Sequence, residues 1–490
     1  MSINLNECQT KTNIALQKFL QNENKHNFLL LGPAGSGKTT VITNVFNGTQ
    51  YKIAFCAFTN KATQVLKNIS NKFNIVFQAD FMTIHKLLVL EIKYLGNEKE
   101  IAFTFNKKKI ANMKEYDIII FDECSTISKE LYQYICEAWE YIYFAYDKKL
   151  KYIFIGDYWQ LPPVGEENSI VFQNAPFNKW PIAKLSKVMR YNTENLEKIN
   201  MNLLEWITSF KAKDIDKVSD FVYNYPYNIV SEDSGCYLSN QEMLDKYFNT
   251  LKNITCDTVI LTYSKANCNK INESIQDRMD LSENREVPDK RQKLYFYKGD
   301  RCCIDRPIEV HNVVENKNHE KYGDKRTLML DKTTTCMLYN GEIFDIDNVE
   351  DVNVTTALNR FHYIPKYFEA QLLKVKKIND DKFYEIIHID EDIINNARKE
   401  IYKNERRLFY LQIMSDFIKK YPKLEYGYCI TIYKSQGSEW NTVFVNLNSI
   451  KWSIIGQTNN ASLSKKICLL KSTYTAISRA TDHIMLFWSY

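Results

Sequence analysis

Residues 27–46 read NFLLLGPAGSGKTTVITNVF, and the order in which residue types change along this stretch decides the architecture around it. A mostly apolar run, 27–31, enters the loop GPAGSGKT, and a helix-compatible segment, 40–46, leaves it. This strand–loop–helix context is what a phosphate-binding loop requires. The loop fits G-x-x-x-x-G-K-[ST], in which backbone N–H groups cradle phosphates, Lys38 reaches the β- and γ-phosphates and the Thr39 hydroxyl helps hold Mg²⁺. The residues expected to bind nucleotide are therefore Gly32, Gly35, Ser36, Gly37, Lys38, Thr39 and Thr40. Standing alone, this loop leaves kinases, transporters and GTPases open.

Downstream strands narrow the choice. Apolar runs at 53–58, 118–121 and 152–155 join 28–31 with polar or helix-compatible stretches between them, the pattern of a parallel sheet covered by helices. The run 116–121 delivers Asp122 and Glu123 to its C-terminal end, where ligands bind in open α/β sheets. Asp122 is placed to complete the Mg²⁺ shell with Thr39, and Glu123 to orient the attacking water as general base. In GDYWQ, Asp157 follows another strand and Gln160 can reach the γ-phosphate or its water. Two arginines, Arg190 in KVMRYN and Arg479 in TAISRA, are candidates to stabilise the charge of the transferred phosphoryl group.

Composition bounds the rest. A chain of 490 residues has room for about two to four domains, and 45% hydrophobic with 25% charged residues is the balance of a globular protein. Its 64 basic residues are nearly cancelled by 59 acidic ones, so a groove for an anionic polymer must be local. The N-terminus has no basic-then-apolar leader, and no apolar run approaches the ~18 residues needed to cross a membrane. A soluble intracellular protein, in cytoplasm or nucleoid, is expected. Twelve scattered cysteines, with one adjacent pair and no C-x-x-C, favour reduced thiols over disulfides or zinc.

A second strand set at 259–262, 428–432, 442–445 and 484–487 implies a second α/β lobe, split by an insertion over roughly 295–425. Within it, β-like runs at 293–297, 327–330, 342–346 and 372–376 surround turn signals, predicting a small barrel. Residues 392–421 are charged and lack Gly and Pro, predicting one or two helices. The first lobe carries its own excursion, 86–115, with the hairpin signal Gly96-Asn97. Pairing Leu95 with Glu98 sets Ile92 against Ile101, Leu90 against Phe103 and Lys93 against Glu100. Such a hairpin either wedges strands apart or packs on its lobe.

Taken in order, GPAGSGKT, DEC at 122–124, GDYWQLPP at 156–163 and ISRA at 477–480 resemble the motifs of superfamily 1 helicases, specifically the RecD/Dda-like group whose members move 5′ to 3′. The resemblance covers nearly the whole chain. It implies two RecA-like parallel-sheet lobes, with a β-hairpin pin insertion in the first and an SH3-like β-barrel plus helical insertion in the second. The implied boundaries are 1–85 and 116–195 for the first lobe, 86–115 for the pin, 196–294 and 426–490 for the second lobe, and 295–425 for its insertion. A motor core without an appended regulatory or nuclease domain is expected. LNECQ at 5–9 looks like the Q motif, in which Gln9 would recognise adenine. AFTNKA at 57–62 and TIHKLL at 83–88 resemble segments lining a single-strand channel, so Phe58, Thr59, Asn60, Lys61, Thr83 and His85 become candidate nucleic-acid contacts. ITIYKSQGSEW at 430–440 looks like motif V. It adds Thr431, Lys434 and Ser435 to the strand contacts, and Gly437 and Glu439 to the nucleotide site. Departures are Tyr433, where His is usual, and Ser478, where Thr is common.

The implied activity is an ATP-dependent helicase, with ATP and Mg²⁺ as cofactors, moving 5′ to 3′ on single-stranded DNA and unwinding duplex DNA in replication, recombination or repair. Implied partners are single-stranded and forked DNA and a single-strand-binding or replication protein, with no membrane and a monomeric motor. The AT-rich codon character and compact core suit a virus-encoded protein. An RNA helicase of the same superfamily and a nucleic-acid-binding ATPase subunit without unwinding activity remain open alternatives.

Overall fold

The computed structural model describes residues 5–57, 78–94, 101–104, 109–189, 191–211, 225, 237–238, 240–253, 257–285, 294–305, 308–316, 325–338, 341–377, 382–405, 409–410, 413–414, 417, 420–456 and 461–488. The chain forms two compact units. Unit 1 comprises Met1–Asn240 with Ser435–Tyr490, and unit 2 comprises Gln241–Lys434.

Unit 1 is built on a six-stranded, wholly parallel sheet. Its strands are β1 (Asn27–Leu31), β2 (Lys52–Ala57), β3 (Gln78–Thr83), β6 (Ile118–Phe121), β7 (Lys151–Gly156) and β8 (Ile182–Lys184), in the spatial order β3-β2-β6-β7-β1-β8. Alternate side chains of each central strand enter opposite cores. Phe28, Leu30, Ile118, Ile120, Ile153 and Ile155 meet α1 (Glu7–Gln21) and α2 (Lys38–Phe46) through Leu16, Phe19, Val41 and Phe46. Leu29, Ile119, Phe121 and Phe154 face the other way, onto Leu131, Ile135 and Ile142 of the helix Lys129–Tyr146. That two-sided burial is why the central strands read as continuous apolar runs, and each buried Leu, Ile or Phe contributes about 1.5–3 kcal/mol. The strands expected from sequence at 28–31, 118–121 and 152–155 are present, as is that at 53–58 up to residue 57, residue 58 lying outside the described residues.

A hairpin, β4 (Glu91–Tyr94) and β5 (Ile101–Thr104), rises from this sheet, but its register differs from the expected one. Ile92 pairs with Phe103 and Tyr94 with Ile101, two residues away from the Ile92–Ile101 pairing read off Gly96-Asn97. A slip of two residues leaves the alternation of faces unchanged, so the apolar pattern does not discriminate between the registers.

Each unit also carries further parallel strands. In unit 1, β19 (Trp440–Asn446) and β20 (Ala480–Phe487) pair in parallel, and β20 pairs with β9 (Tyr237–Leu238). In unit 2, β10 (Thr258–Thr262) pairs in parallel with β18 (Cys429–Thr431). These parallel strands and their helices fit two RecA-like lobes.

Between β10 and β18 lies a seven-stranded, largely antiparallel sheet of β11 (Arg301–Ile304), β12 (Ile308–Glu315), β13 (Thr327–Leu338), β14 (Ile343–Val354), β15 (Phe368–Lys377), β16 (Phe383–Ile389) and β17 (Leu424–Tyr426). The helix Glu391–Asn404, capped by the Asp390 carboxylate on the Asp392 N–H, covers one part of it with Ala397 and Ile401. Residues 294–297, expected as part of a strand, form none. The Gln371 side chain takes the place of a neighbouring strand there. It accepts from the Phe296 N–H at 3.0 Å and donates to the Phe296 carbonyl at 3.0 Å.

Candidate active site

Three neighbouring strands deliver the expected chemistry to one edge of the first sheet. β1 ends at the phosphate loop, β6 ends at Asp122 and Glu123, and β7 ends at Gly156 and Asp157. This is the carboxyl edge of a parallel sheet, where open α/β folds bind ligands.

The loop itself is a cradle that only glycine fits. A Cβ on Gly32 would lie 2.6 Å from Ser36 Oγ and 3.0 Å from Leu185 Cβ. Gly35 and Gly37 take φ of 73° and 79°, and a Cβ on Gly37 would lie 2.5 Å from Gln9 Nε2. Gly37 also opens α2, so the first N–H groups of that helix point into the loop, as anion binding requires. Lys38 Nζ folds over the cradle and donates to the carbonyls of Gly32 at 2.8 Å and Pro33 at 3.0 Å.

Gln9, expected to recognise adenine, is buried and engaged at both ends of its amide. Its Oε1 accepts from the Asn6 N–H at 3.0 Å in a capping box that starts α1, and its Nε2 donates to the Ser36 carbonyl at 3.3 Å. In this geometry Gln9 braces the phosphate loop.

Opposite the cradle, burial is the largest influence on the Asp122 carboxyl and the Glu123 charge adds to it, while the Glu123 N–H and Lys38 pull the other way. The outcome is a value pushed up to about 7. Glu123 sits at φ 52°, an uncommon backbone for a non-glycine residue, and its carbonyl accepts from Thr126 Oγ1 at 2.8 Å. Strain of this kind persists where surrounding bonds hold it. Gln160 is buried at the foot of the same loop, its N–H bonded to the Asp157 carbonyl at 3.3 Å.

Asp157 is the centre of the edge. Its Oδ1 accepts from the Trp159 N–H at 3.0 Å, and its Oδ2 accepts from the Ala34 N–H at 3.0 Å and from Tyr474 Oη at 2.8 Å. Burial raises its carboxyl, opposed by Lys38, the Trp159 N–H and the Tyr474 hydroxyl. Tyr474 and the neighbouring Lys471 were not singled out by sequence reasoning, although Tyr474 opens the run YTAISRA that supplied Arg479.

Arg479 is buried at the end of the helix Leu463–Ile477. Its Nε donates to the Thr475 carbonyl at 3.1 Å and its Nη1 to the Ser438 carbonyl at 3.3 Å, beside Gly437 and the exposed Glu439. Arg190, and the strand-contact candidates Phe58, Thr59, Asn60 and Lys61, lie outside the described residues. Thr83 caps the short helix Ile84–Leu87, accepting from the Lys86 N–H at 3.2 Å, and His85 follows it, its basicity lowered by burial. Thr431 Oγ1 accepts from the Lys434 N–H at 3.4 Å, and Ser435 is buried. Lys434 forms ion pairs with Asp305 and with Glu425, the latter at 3.2 Å. Burial lowers its basicity, but Cys303, Asp305 and Glu425 outweigh that and hold it charged.

The donor set fits a nucleoside triphosphate with a divalent cation. The glycine cradle and Lys38 suit phosphate oxygens, and Thr39 with Asp122 suits the metal. Among the described residues there is no cluster of His, Cys, Asp and Glu that would hold a metal by itself, and none of the described cysteines is in a disulfide. No helix among them is long and apolar enough to cross a membrane.

Comparison with known proteins agrees with this layout. Residues 15–166 match the AAA domain family. The chain is 27% identical to an uncharacterized protein of Acanthamoeba polyphaga mimivirus, over 97% of this chain and 98% of that one. It is 24% identical to the RecBCD enzyme subunit RecD of Buchnera aphidicola, over 94% of this chain and 70% of that one. Among solved structures, a chain from a study of DNA unwinding at forked double-stranded DNA by two coordinating Pif1 helicases superposes with a TM-score of 0.50 at 15% identity, covering 99% of this chain and 92% of that one. The fold is that of the Pif1 helicase chain on which it superposes. In this helicase fold the Asp122, Asp157 and Lys38 side chains share one sheet edge, and the helix preceding Arg479 is bonded directly to it.

Proposed function

We propose that this protein is an ATP-dependent DNA helicase that moves 5′ to 3′ along single-stranded DNA and opens duplexes ahead of it. The observation that carries this reading is the joining of a complete phosphate-binding edge to the helix that ends at Arg479, through Tyr474 on Asp157 and the Ala34 N–H. The polarity and the wedge role of the β4–β5 hairpin rest on resemblance to the RecD-like group. So do the roles of residues 86–115 as a pin and 295–425 as an SH3-like subdomain.

The chain's own residues divide the work. Loop N–H groups and Lys38 hold the phosphates, Lys38 exchanging its carbonyl partners for phosphate oxygens. Glu123 takes the proton of the attacking water, and Gln160 orients that water. Arg479, with Arg190, stabilises the charge spread over the transferred group. Thr39 and Asp122 would hold Mg²⁺, which supplies neutralisation of phosphate charge. Strand contact falls to residues 58–61, Thr83, His85, Thr431, Lys434 and Ser435. Lys434 reaches a phosphate only by leaving its acidic partners.

The test is ATP-dependent opening of matched DNA and RNA duplexes tailed at either the 5′ or the 3′ end, with Lys38→Ala as control. The expected result is opening of 5′-tailed DNA alone, abolished in Lys38→Ala while strand binding persists. Opening of RNA or of 3′-tailed DNA would reassign the substrate or the polarity. Undiminished opening by Lys38→Ala would refute the site.

A further inference from the structure

The helix Leu463–Ile477 is polar on a face that is buried. Lys471, Tyr474 and Thr475 lie three and four residues apart, on one side of the helix, and each is at most 2% exposed. All three bond to the loop after β7. Lys471 Nζ donates to Asn168 Oδ1 at 2.5 Å and lies 5.0 Å from the centre of the Tyr158 ring, and Thr475 Oγ1 accepts from the Leu161 N–H at 3.1 Å. Tyr474 Oη donates to Asp157 Oδ2, and it also accepts from the Ala34 N–H at 3.2 Å. One buried hydroxyl thus touches both the third residue of the phosphate loop and the carboxylate that grips the same residue.

An ionised carboxylate taken out of water is held only by its donors, and Asp157 has three: the Ala34 N–H, the Trp159 N–H and the Tyr474 hydroxyl. Two belong to the phosphate-binding edge and one to the helix. Arg479 stands at the far end of that helix and is bonded to the carbonyl of Thr475, on the same turn as Tyr474. The bonds thus run without a break from the phosphate loop through the carboxylate to the helix that carries the guanidinium.

We propose that Asp157 and Tyr474 are positioning residues for ATP hydrolysis, forming one joint that fixes the Arg479-bearing helix to the phosphate loop. The inference deepens the reading of the site as an ATPase and rests on it. Neither side chain needs to meet the reacting phosphorus. Losing the joint misplaces a group used in the transition state, so it lowers kcat and leaves nucleotide affinity largely intact.

The test uses the full chain as wild type, Tyr474→Phe, Asp157→Asn and the double variant. Strand-stimulated ATP hydrolysis gives kcat and KM, a fluorescent ATP analogue gives Kd, and thermal melting reports folding. Tyr474→Phe keeps the ring and removes only the hydroxyl. We expect each single variant to lower kcat about tenfold with the analogue Kd within about threefold, and the double variant to be no worse than the poorer single, because both remove the same joint. Unchanged kcat in Tyr474→Phe, or losses that multiply in the double variant, would overturn the joint. Should Asp157→Asn melt early, Tyr474→Phe alone decides by its split of kcat from Kd. A wild type that hydrolyses no ATP would refute the reading of the site, whereas an active wild type with an equally active Tyr474→Phe would refute the joint alone.

Discussion

Lys471 is a cation with almost no contact with solvent, and its environment makes its charge conditional. Burial pulls its value down to about 8, with Asp157 opposing the shift. In the unfolded chain a lysine holds its proton to about 10.4. Between about pH 8 and pH 10 the unfolded state therefore binds one more proton than the folded state at this position, and stability contributed by Lys471 rises with pH, by at most ~1.4 kcal/mol per unit. Denaturant midpoints of wild type and Lys471→Met, taken at pH 7.5 and pH 9.5, isolate the effect. The wild type should gain on the variant as pH rises, and parallel behaviour would mean that Lys471 keeps its charge in the fold. At this scale the sequence was most legible where chemistry is local. Asp122 and Glu123 stand at the expected strand end because they directly follow the apolar run 118–121, and Lys38 opens α2 as the phosphate-loop motif after β1 requires. Gln9 was legible as a site residue and less so as a brace. Its double engagement needs Asn6 on one side and Ser36 on the other, and only folding brings Ser36 there. Tyr474 and Lys471 escaped notice because a tyrosine and a lysine in a helix are ordinary until their partners, hundreds of residues away, are known.

Among the elements, parallel strands were read correctly and irregular ones were not, for one physical reason. A strand buried on both faces announces itself by composition, as at 118–121, whereas a segment satisfied by a side chain looks the same in sequence as one satisfied by a ladder. Residues 294–297 carry strand-like residues, yet Gln371 supplies both of the hydrogen bonds made to Phe296, which is fully buried. Gln371→Leu should therefore lower stability by about 2–6 kcal/mol, since two buried backbone groups lose their partners at about 1–3 kcal/mol each. Chemical denaturation measures this, and a loss below about 0.5 kcal/mol would show that the backbone finds other partners. The β4–β5 hairpin fails differently. Its apolar alternation permits registers two residues apart, and the Gly96-Asn97 signal alone does not decide between them.

At the scale of the whole molecule, the two parallel sheets were foreseeable from eight apolar runs, and the grouping of the chain was not. Periodicity carries no information on which elements pack together, and here the residues from Ser435 onward belong to the same compact unit as the phosphate loop. A chain cut after Lys434 would lose Tyr474, Thr475 and Lys471, which bond to Asp157, Leu161 and Asn168, together with buried Leu469, Leu470 and Ile477. We expect such a chain to melt without a cooperative transition in its N-terminal part and to bind the ATP analogue weakly. Cooperative melting with full analogue affinity would show that the first sheet is self-sufficient.

The bond between the Ala34 N–H and Tyr474 spans 440 positions of the chain. At a synthesis rate of about 5–20 residues per second, that span corresponds to roughly 20–90 s between the synthesis of the phosphate loop and that of its partner helix. A newborn chain thus exposes a phosphate loop long before it owns the arginine at the end of that helix. On the reading proposed above, translation itself imposes an interval of silence, in which the emerging chain owns its phosphate loop and cannot yet complete the site around it.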